Sequence, residues 1–251
     1  MTMSQALPAE ALNKLRRFVE RSKRSSSVRF PVSFVRSQLD SATPPLARLV
    51  ISGGVRLNMH LLLALMATRD PFEISEPPPA SYFAQALALP NPDTAGARRV
   101  TDALTWLHDH EYIVRTRRPG KTAHIRLLHH GSANTGAGRY VAAPLALWNQ
   151  GWILTLPARA VGIYLVLKEA TGGNANKAAT LPGTRKAQYG LSPDTWTRAT
   201  HELEMAGLLT VKEVFAKASP TDEWEPKRRR LEYRLTDTVL DLGPSTLSRV
   251  S

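Results

Sequence analysis

The apolar positions of residues 190 to 213 have helical spacing and then run into a stretch of β-formers, which predicts an amphipathic helix followed by a strand. The apolar positions recur at spacings of three and four and define one helix face: Trp196, Ala199, Leu203 and Ala206. Ser192 or Asp194 can cap the first amides, and Pro193 suits a first helical turn, so the helix begins near 193. The outward positions form a short polar face that is free to contact something: Thr197, Arg198, His201 and Met205.

A second stretch earlier in the chain has the same pattern. A helix is expected from about 97 to 110, with four inward positions: Val100, Ala103, Leu104 and Leu107. Its outward positions are Arg98, Arg99, Asp102 and Thr105. The segment that follows, "YIVRTRRPGKTAHIRLL", consists of two runs of β-formers around Pro119-Gly120 and predicts a hairpin with a basic tip.

The order of elements occurs twice. In the first half, a helix at about 56 to 68 and a short helix at about 80 to 87 precede the helix and hairpin. In the second half, Thr155 is a candidate cap and Pro157 a first-turn residue for an apolar helix, and "TRKAQYG" predicts a short helix. Aligning Tyr112-Ile113 with Leu208-Leu209 places Leu107 over Leu203. The pattern predicts two similar, mainly α units, each with a small β-hairpin.

The remaining segments set the predicted boundaries. Residues 1 to 45 predict a basic helix with a flexible Ser-rich exit and a linker, and residues 1 to 36 carry a local charge of 8 − 2 = +6. The units are expected at 46 to 129 and 145 to 240, with a C-terminal tail at 241 to 251. Between them, 130 to 144 overlaps "HHGSANTGAGR" at 129 to 139, a Gly-rich linker without the Gly-Lys-Ser/Thr ending of a phosphate-binding loop.

Charge points to an anionic partner. Lys plus Arg exceed Asp plus Glu by 33 − 21 = 12 in 251 residues, and the pI is about 10.4. Nucleic acid is favoured over a membrane surface. The chain contains no cysteine, which excludes disulfides, thiol catalysis and thiolate metal sites. The longest apolar run is too short to span a bilayer and no signal peptide is evident, so a cytoplasmic, nucleoid-associated protein is expected.

The segment "THELEMAGLLTVKE" resembles the junction between the third helix and the wing in bacterial regulators of the winged helix-turn-helix superfamily. The first copy departs from that pattern, because "HDHEYIV" has Glu111 where the family has Gly. The resemblance covers about 46 to 129 and 145 to 237 and implies two tandem winged helix-turn-helix domains, which follow the basic N-terminal helix predicted above. It also implies sequence-specific binding of double-stranded DNA for transcriptional regulation. The tandem arrangement is also similar to that of plasmid replication initiators, so an initiator that binds origin repeats of a plasmid, phage or integrative element is the alternative hypothesis. A third hypothesis is a protein-interaction adaptor with degenerate winged helices.

Candidate DNA-binding residues lie on the outward faces of the two third helices, on the short helix before the second of them, and on the hairpins. They are Arg98, Arg99, Thr105, Arg115, Arg117, Arg118, Lys121, Arg185, Lys186, Thr197, Arg198, His201, Lys227, Arg228, Arg229 and Arg230. The sequence does not decide whether the N-terminal segment forms a homodimer.

The sequence does not favour catalysis or a cofactor. The acidic residues are scattered, and no glycine-flanked serine follows a strand. His108 and His110 lie on different helix faces, and no cysteine or carboxylate cluster accompanies them, so no metal site is expected. Four tryptophans are assigned to packing rather than to base stacking: Trp106, Trp148, Trp152 and Trp196.

Overall fold

The computed structural model describes residues 7–37, 42–129, 139–174, 177–216 and 228–244, which form helices and three small antiparallel sheets around one apolar core. The helices are α1 (Ala9–Ser22), α2 (Val32–Val35), α3 (Pro45–Ser52), α4 (Gly54–Met66), α5 (Ala80–Ala86), α6 (Ala97–Asp109), α7 (Ala146–Asn149), α8 (Trp152–Thr155), α9 (Ala158–Ala170), α10 (Gly183–Ala187), α11 (Pro193–Met205) and α12 (Thr238–Leu242). The strands are β1 (Ser27–Pro31), β2 (Glu73–Ile74), β3 (Ile113–Arg118), β4 (Lys121–Leu127), β5 (Tyr140–Pro144), β6 (Ala179–Thr180), β7 (Leu209–Ala216) and β8 (Arg228–Leu235). The mainly α class with small β elements is confirmed.

The expected repetition of elements is present. In the first unit, α4, β2, α5, α6, β3 and β4 follow one another, and the sheet order is β2-β4-β3. In the second unit, α9, β6, α10, α11, β7 and β8 follow one another, and the sheet order is β6-β8-β7. Each unit therefore adds a two-residue strand, which was not predicted, to the outer edge of its hairpin.

The junction between helix and hairpin has the same geometry in both units. The amide of Tyr112 donates to the carbonyl of Leu107 at 2.9 Å, and the amide of Leu208 donates to the carbonyl of Leu203 at 2.9 Å. Gly207 has a φ of +66° in the second junction, and Glu111 has a φ of +61° at the matching position of the first. Glu111 therefore adopts a left-handed conformation in which a Cβ costs energy and which glycine adopts freely.

The predicted N-terminal helix is present as α1, but it is part of the core and a paired strand follows it, so the predictions of a separate helix and a flexible exit are wrong for the described residues. On α1, Leu15 is fully buried, and Phe18 stacks on Phe83 of α5 with ring centroids 5.5 Å apart. The strand β1 pairs antiparallel with β5 over its whole length, from Ser27 opposite Pro144 to Pro31 opposite Tyr140. Burial of the apolar side of α1 explains its docking.

The predicted linker at 130 to 144 is only partly observed as such. Its last residues form β5, where Val141 and Ala143 are buried, while residues 130–138 lie outside the described residues. The tail predicted from 241 begins inside α12. That helix is held by the Trp152 indole, whose Nε1 donates to the carbonyl of Leu240 at 2.8 Å.

The two units are in close contact through α3 and α9. A Cβ placed on Gly162 of α9 would lie 2.5 Å from Cγ2 of Val50 on α3, so the backbone of α9 approaches α3 as closely as a glycine allows. Thr155 does not cap α9 as predicted: it is the last residue of α8, and Pro157 is the N-cap residue. The units are thus joined by direct helix packing.

Candidate nucleic-acid interface

The polar face predicted for α11 is exposed. Ser192 caps the helix, because its Oγ accepts a hydrogen bond from the amide of Thr195 at 3.2 Å. Trp196, Ala199 and Leu203 are buried, as their spacing predicted. Thr197, Arg198 and His201 are exposed, together with Met205. The second unit therefore presents a hydrogen-bonding helix face beside its hairpin.

Arg198 is held in place on this face. Its Nε donates to Oδ1 of Asp194, one turn earlier, at 3.0 Å, and the two side chains are 63% and 68% exposed. The rest of the guanidinium remains available for hydrogen bonds, and such an exposed pair on one helix contributes little to stability.

The face of α6 is likewise exposed at Arg98, Arg99, Asp102 and Thr105. The hydroxyl of Thr105 accepts a hydrogen bond from Nη1 of Arg115 on β3 at 3.3 Å, which links the helix face to the hairpin. When the units are aligned at Leu107 and Leu203, Asp102 falls where Arg198 lies and Thr105 where His201 lies. The two faces therefore carry different side chains at matching places.

The hairpin residues are described only in part. For four candidates the structure describes the strand backbone but not the side chain: Arg117, Arg118, Lys121 and Arg228. Lys227 lies outside the described residues. Arg229 is 69% exposed, and its Nη2 is 2.8 Å from Oε2 of Glu213 on β7. Arg230 is half-buried.

Arg185 forms an ion pair with a buried carboxylate instead of extending into solvent. Its Nη2 lies 2.8 Å from Oε2 of Glu169, whose side chain is 1% exposed. Arg36, beyond α2, lies 3.5 Å from the same carboxylate, and the Tyr189 hydroxyl donates to it at 2.7 Å. Burial, and then the bond to Glu169, raise the pKa of Tyr189 to about 12. We therefore interpret Arg185 as a structural residue, a role that its sequence neighbours did not indicate.

Lys186 is half-buried over an aromatic pair. Its Nζ donates to the Tyr233 hydroxyl at 3.0 Å and lies 5.0 Å from the ring centroid of Trp196 and 5.3 Å from that of Tyr233. The ammonium group faces a cavity between α10, α11 and β8 that is lined by the same two rings. This cavity was not predicted, because its walls come from three separate segments.

Part of the positive charge near the N-terminus is also structural. Arg24 donates to the carbonyls of Leu65, Ala64 and Ala67 at 3.1, 2.9 and 2.8 Å, which satisfies the C-terminal end of α4. Burial, followed by the charge of Arg29, lowers the pKa of Arg24. The local excess of +6 therefore overstates the charge available to a partner.

The described residues contain no group of three or more His, Asp or Glu side chains that could hold a metal ion. Within the same ranges, no helix has the length and apolarity needed to cross a bilayer. The exposed faces offer several kinds of hydrogen-bonding group: arginine guanidiniums, threonine hydroxyls, the His201 imidazole and the Asp102 carboxylate. No protein-family model, curated protein or solved structure matches the chain.

Proposed function

We propose that the chain binds double-stranded DNA in a sequence-specific way through two winged helix-turn-helix units and regulates transcription in the cytoplasm, at the nucleoid. The observation that carries the proposal is the repeated unit, in which α6 and α11 each present an exposed polar face next to a basic hairpin. A helix of this kind fits the major groove of B-DNA, and a hairpin beside it reaches phosphate or the minor groove. The net charge of +12 favours such a polyanion.

The differences between the two faces suggest how a site is read. Asp102 occupies the place of Arg198, and Thr105 that of His201, so the two units present different hydrogen-bonding groups to base edges. Arginine pairs with guanine, whereas a carboxylate accepts from cytosine. We therefore expect an asymmetric site with two unlike halves rather than a repeat of one half-site.

A replication initiator is the second candidate. The packing of α3 on α9 joins the two units, and the pairing of β1 with β5 joins the N-terminal segment to the strand before the second unit. Such a connected body suits recognition of one extended site in an origin as well as in a promoter. An initiator would bind repeated origin sites and recruit replication proteins. An adaptor without DNA binding is less favoured, because both helix faces carry exposed basic residues.

The test is selection of bound duplexes from a random pool by the whole chain, followed by mapping of bound DNA across the genome. We expect one enriched motif with unlike halves and occupancy at promoters. Enrichment at a single origin would replace the regulator with the initiator. A pool without enrichment, together with affinities that do not depend on sequence, would contradict specific recognition.

A further inference from the structure

The cavity between α10, α11 and β8 has a volume of about 510 Å³, within the range of small-molecule sites. Its lining is mostly apolar. Trp196 and Tyr233 contribute aromatic surface, Leu191 and Leu231 contribute aliphatic surface, and Thr200 contributes a hydroxyl. A compact organic molecule with a flat apolar body fits this lining better than a fully hydrated ion does.

The polar groups at the cavity favour an anion. Lys186 lies over both rings, and no carboxylate of the described residues lies within 4.0 Å of its Nζ. The indole Nε1 of Trp196 is buried and meets no hydrogen-bond acceptor within the described part of the chain. An adjoining cavity of about 460 Å³ shares Lys186 and Tyr233 and is lined by Arg229 and Arg230. The indole N–H is enclosed by the protein, so the cavity itself offers the ammonium of Lys186 and nearby positive charge beside apolar surface.

We propose that this cavity binds a small aromatic carboxylate. The aromatic body would lie against Trp196 and Tyr233, and the carboxylate would accept a hydrogen bond from the ammonium of Lys186. The carboxylate of the ligand would be the counter-charge of the Lys186 ammonium. A charge-assisted hydrogen bond between them offsets the cost of removing the carboxylate from water. The site does not depend on DNA binding, although Thr197 on the exposed face of α11 also lines it.

The experiment is isothermal titration calorimetry of the whole chain, without DNA, against 2-naphthoate and its neutral isostere 2-naphthamide. The variants are Lys186→Met, which keeps the apolar stem, and Lys212→Met, a control at an exposed position on β7. Ala187→Trp is the blocking variant, because Ala187 is exposed and lines the cavity. Thermal melting establishes that each variant is folded.

We expect 2-naphthoate to bind with one-to-one stoichiometry and more tightly than 2-naphthamide. Lys186→Met should weaken 2-naphthoate by roughly tenfold or more, the value of a hydrogen bond to a charged group, and leave 2-naphthamide unchanged. Lys212→Met should change neither affinity, and Ala187→Trp should abolish both.

Two results would overturn the site: the absence of 2-naphthoate binding, and binding that none of the folded variants alters. If 2-naphthoate does not bind and Lys186→Met weakens random and selected duplexes alike, Lys186 is a phosphate contact instead. Loss of specific DNA binding with intact 2-naphthoate binding would remove the proposed function alone.

Discussion

Replacement of Arg198 by Ala tests the role proposed for α11, and the structure sets its magnitude. A bidentate contact between arginine and guanine discriminates by about 1–3 kcal/mol. A contact through Nε and Nη2 requires Arg198 to give up Asp194, its partner at 3.0 Å, and an exposed pair at this spacing contributes about 0.3–0.5 kcal/mol. We therefore expect Arg198→Ala to cost about 0.5–2.7 kcal/mol at the selected site and to relax the preference at one base position.

The partner residue provides an independent check. Asp194→Ala frees the guanidinium and removes a negative charge beside DNA phosphate, so binding should become tighter by about 0.3–0.5 kcal/mol, roughly twofold. In that background, Arg198→Ala should cost the full value of about 1–3 kcal/mol.

The assay is fluorescence anisotropy with selected and random duplexes at fixed salt, with thermal melting as the control for folding. Arg21→Ala, on the exposed side of α1, serves as a matched loss of one arginine and should leave the base preference unchanged. If the folded Arg198→Ala protein bound both duplexes as the unaltered chain does, α11 would not be a recognition helix, and specificity would have to come from α6.

Three further predictions concern stability and are measured by denaturant unfolding. Gly162→Ala should lower the free energy of unfolding by about 1–3 kcal/mol, because the new Cβ would lie 2.5 Å from Cγ2 of Val50; an unchanged value would show that α3 and α9 separate easily. Glu111→Gly should raise it by up to about 1 kcal/mol, since relief at φ +61° exceeds the added entropy of the unfolded chain; a loss of stability would refute this. The folded pKa of Tyr189, about 12, lies above the ordinary 10, so its contribution is complete below pH 10 and is lost as the pH rises towards 12. Tyr189→Phe should flatten that decline, and an unaltered pH profile would argue against the assignment.

The sequence predicted best what depends on near neighbours. The cap at Ser192 and the stripe of Trp196, Ala199 and Leu203 follow from helical spacing within one turn or two, and the structure confirms them. The same is true of the inward face of α6 and of the β3–β4 hairpin that turns at Pro119-Gly120.

Interactions between distant segments were missed. The apolar alternation of Val28 and Phe30 in "SVRFP" is a strand signal, but nothing local identifies β5 as its partner. Arg24 and Arg185 look like surface cations in the sequence, yet each is bound by acceptors that lie far along the chain or are buried. Two-residue strands such as β2 are too short to give any periodicity. The proposed DNA contacts remain predictions.

The antiparallel pairing of β1 with β5 has a consequence for the order of folding. The pairing encloses α2 to α6 and the first hairpin, because Ser27 lies opposite Pro144. Closure of so long a loop costs chain entropy, and contacts of this separation form slowly. During synthesis, β1 has no partner until the ribosome has released β5, whereas α1 can already dock on α4 and α5. We therefore expect the N-terminal segment to fold in two steps: α1 docks first, and β1 pairs only after β5, the strand before the second unit, has been synthesised.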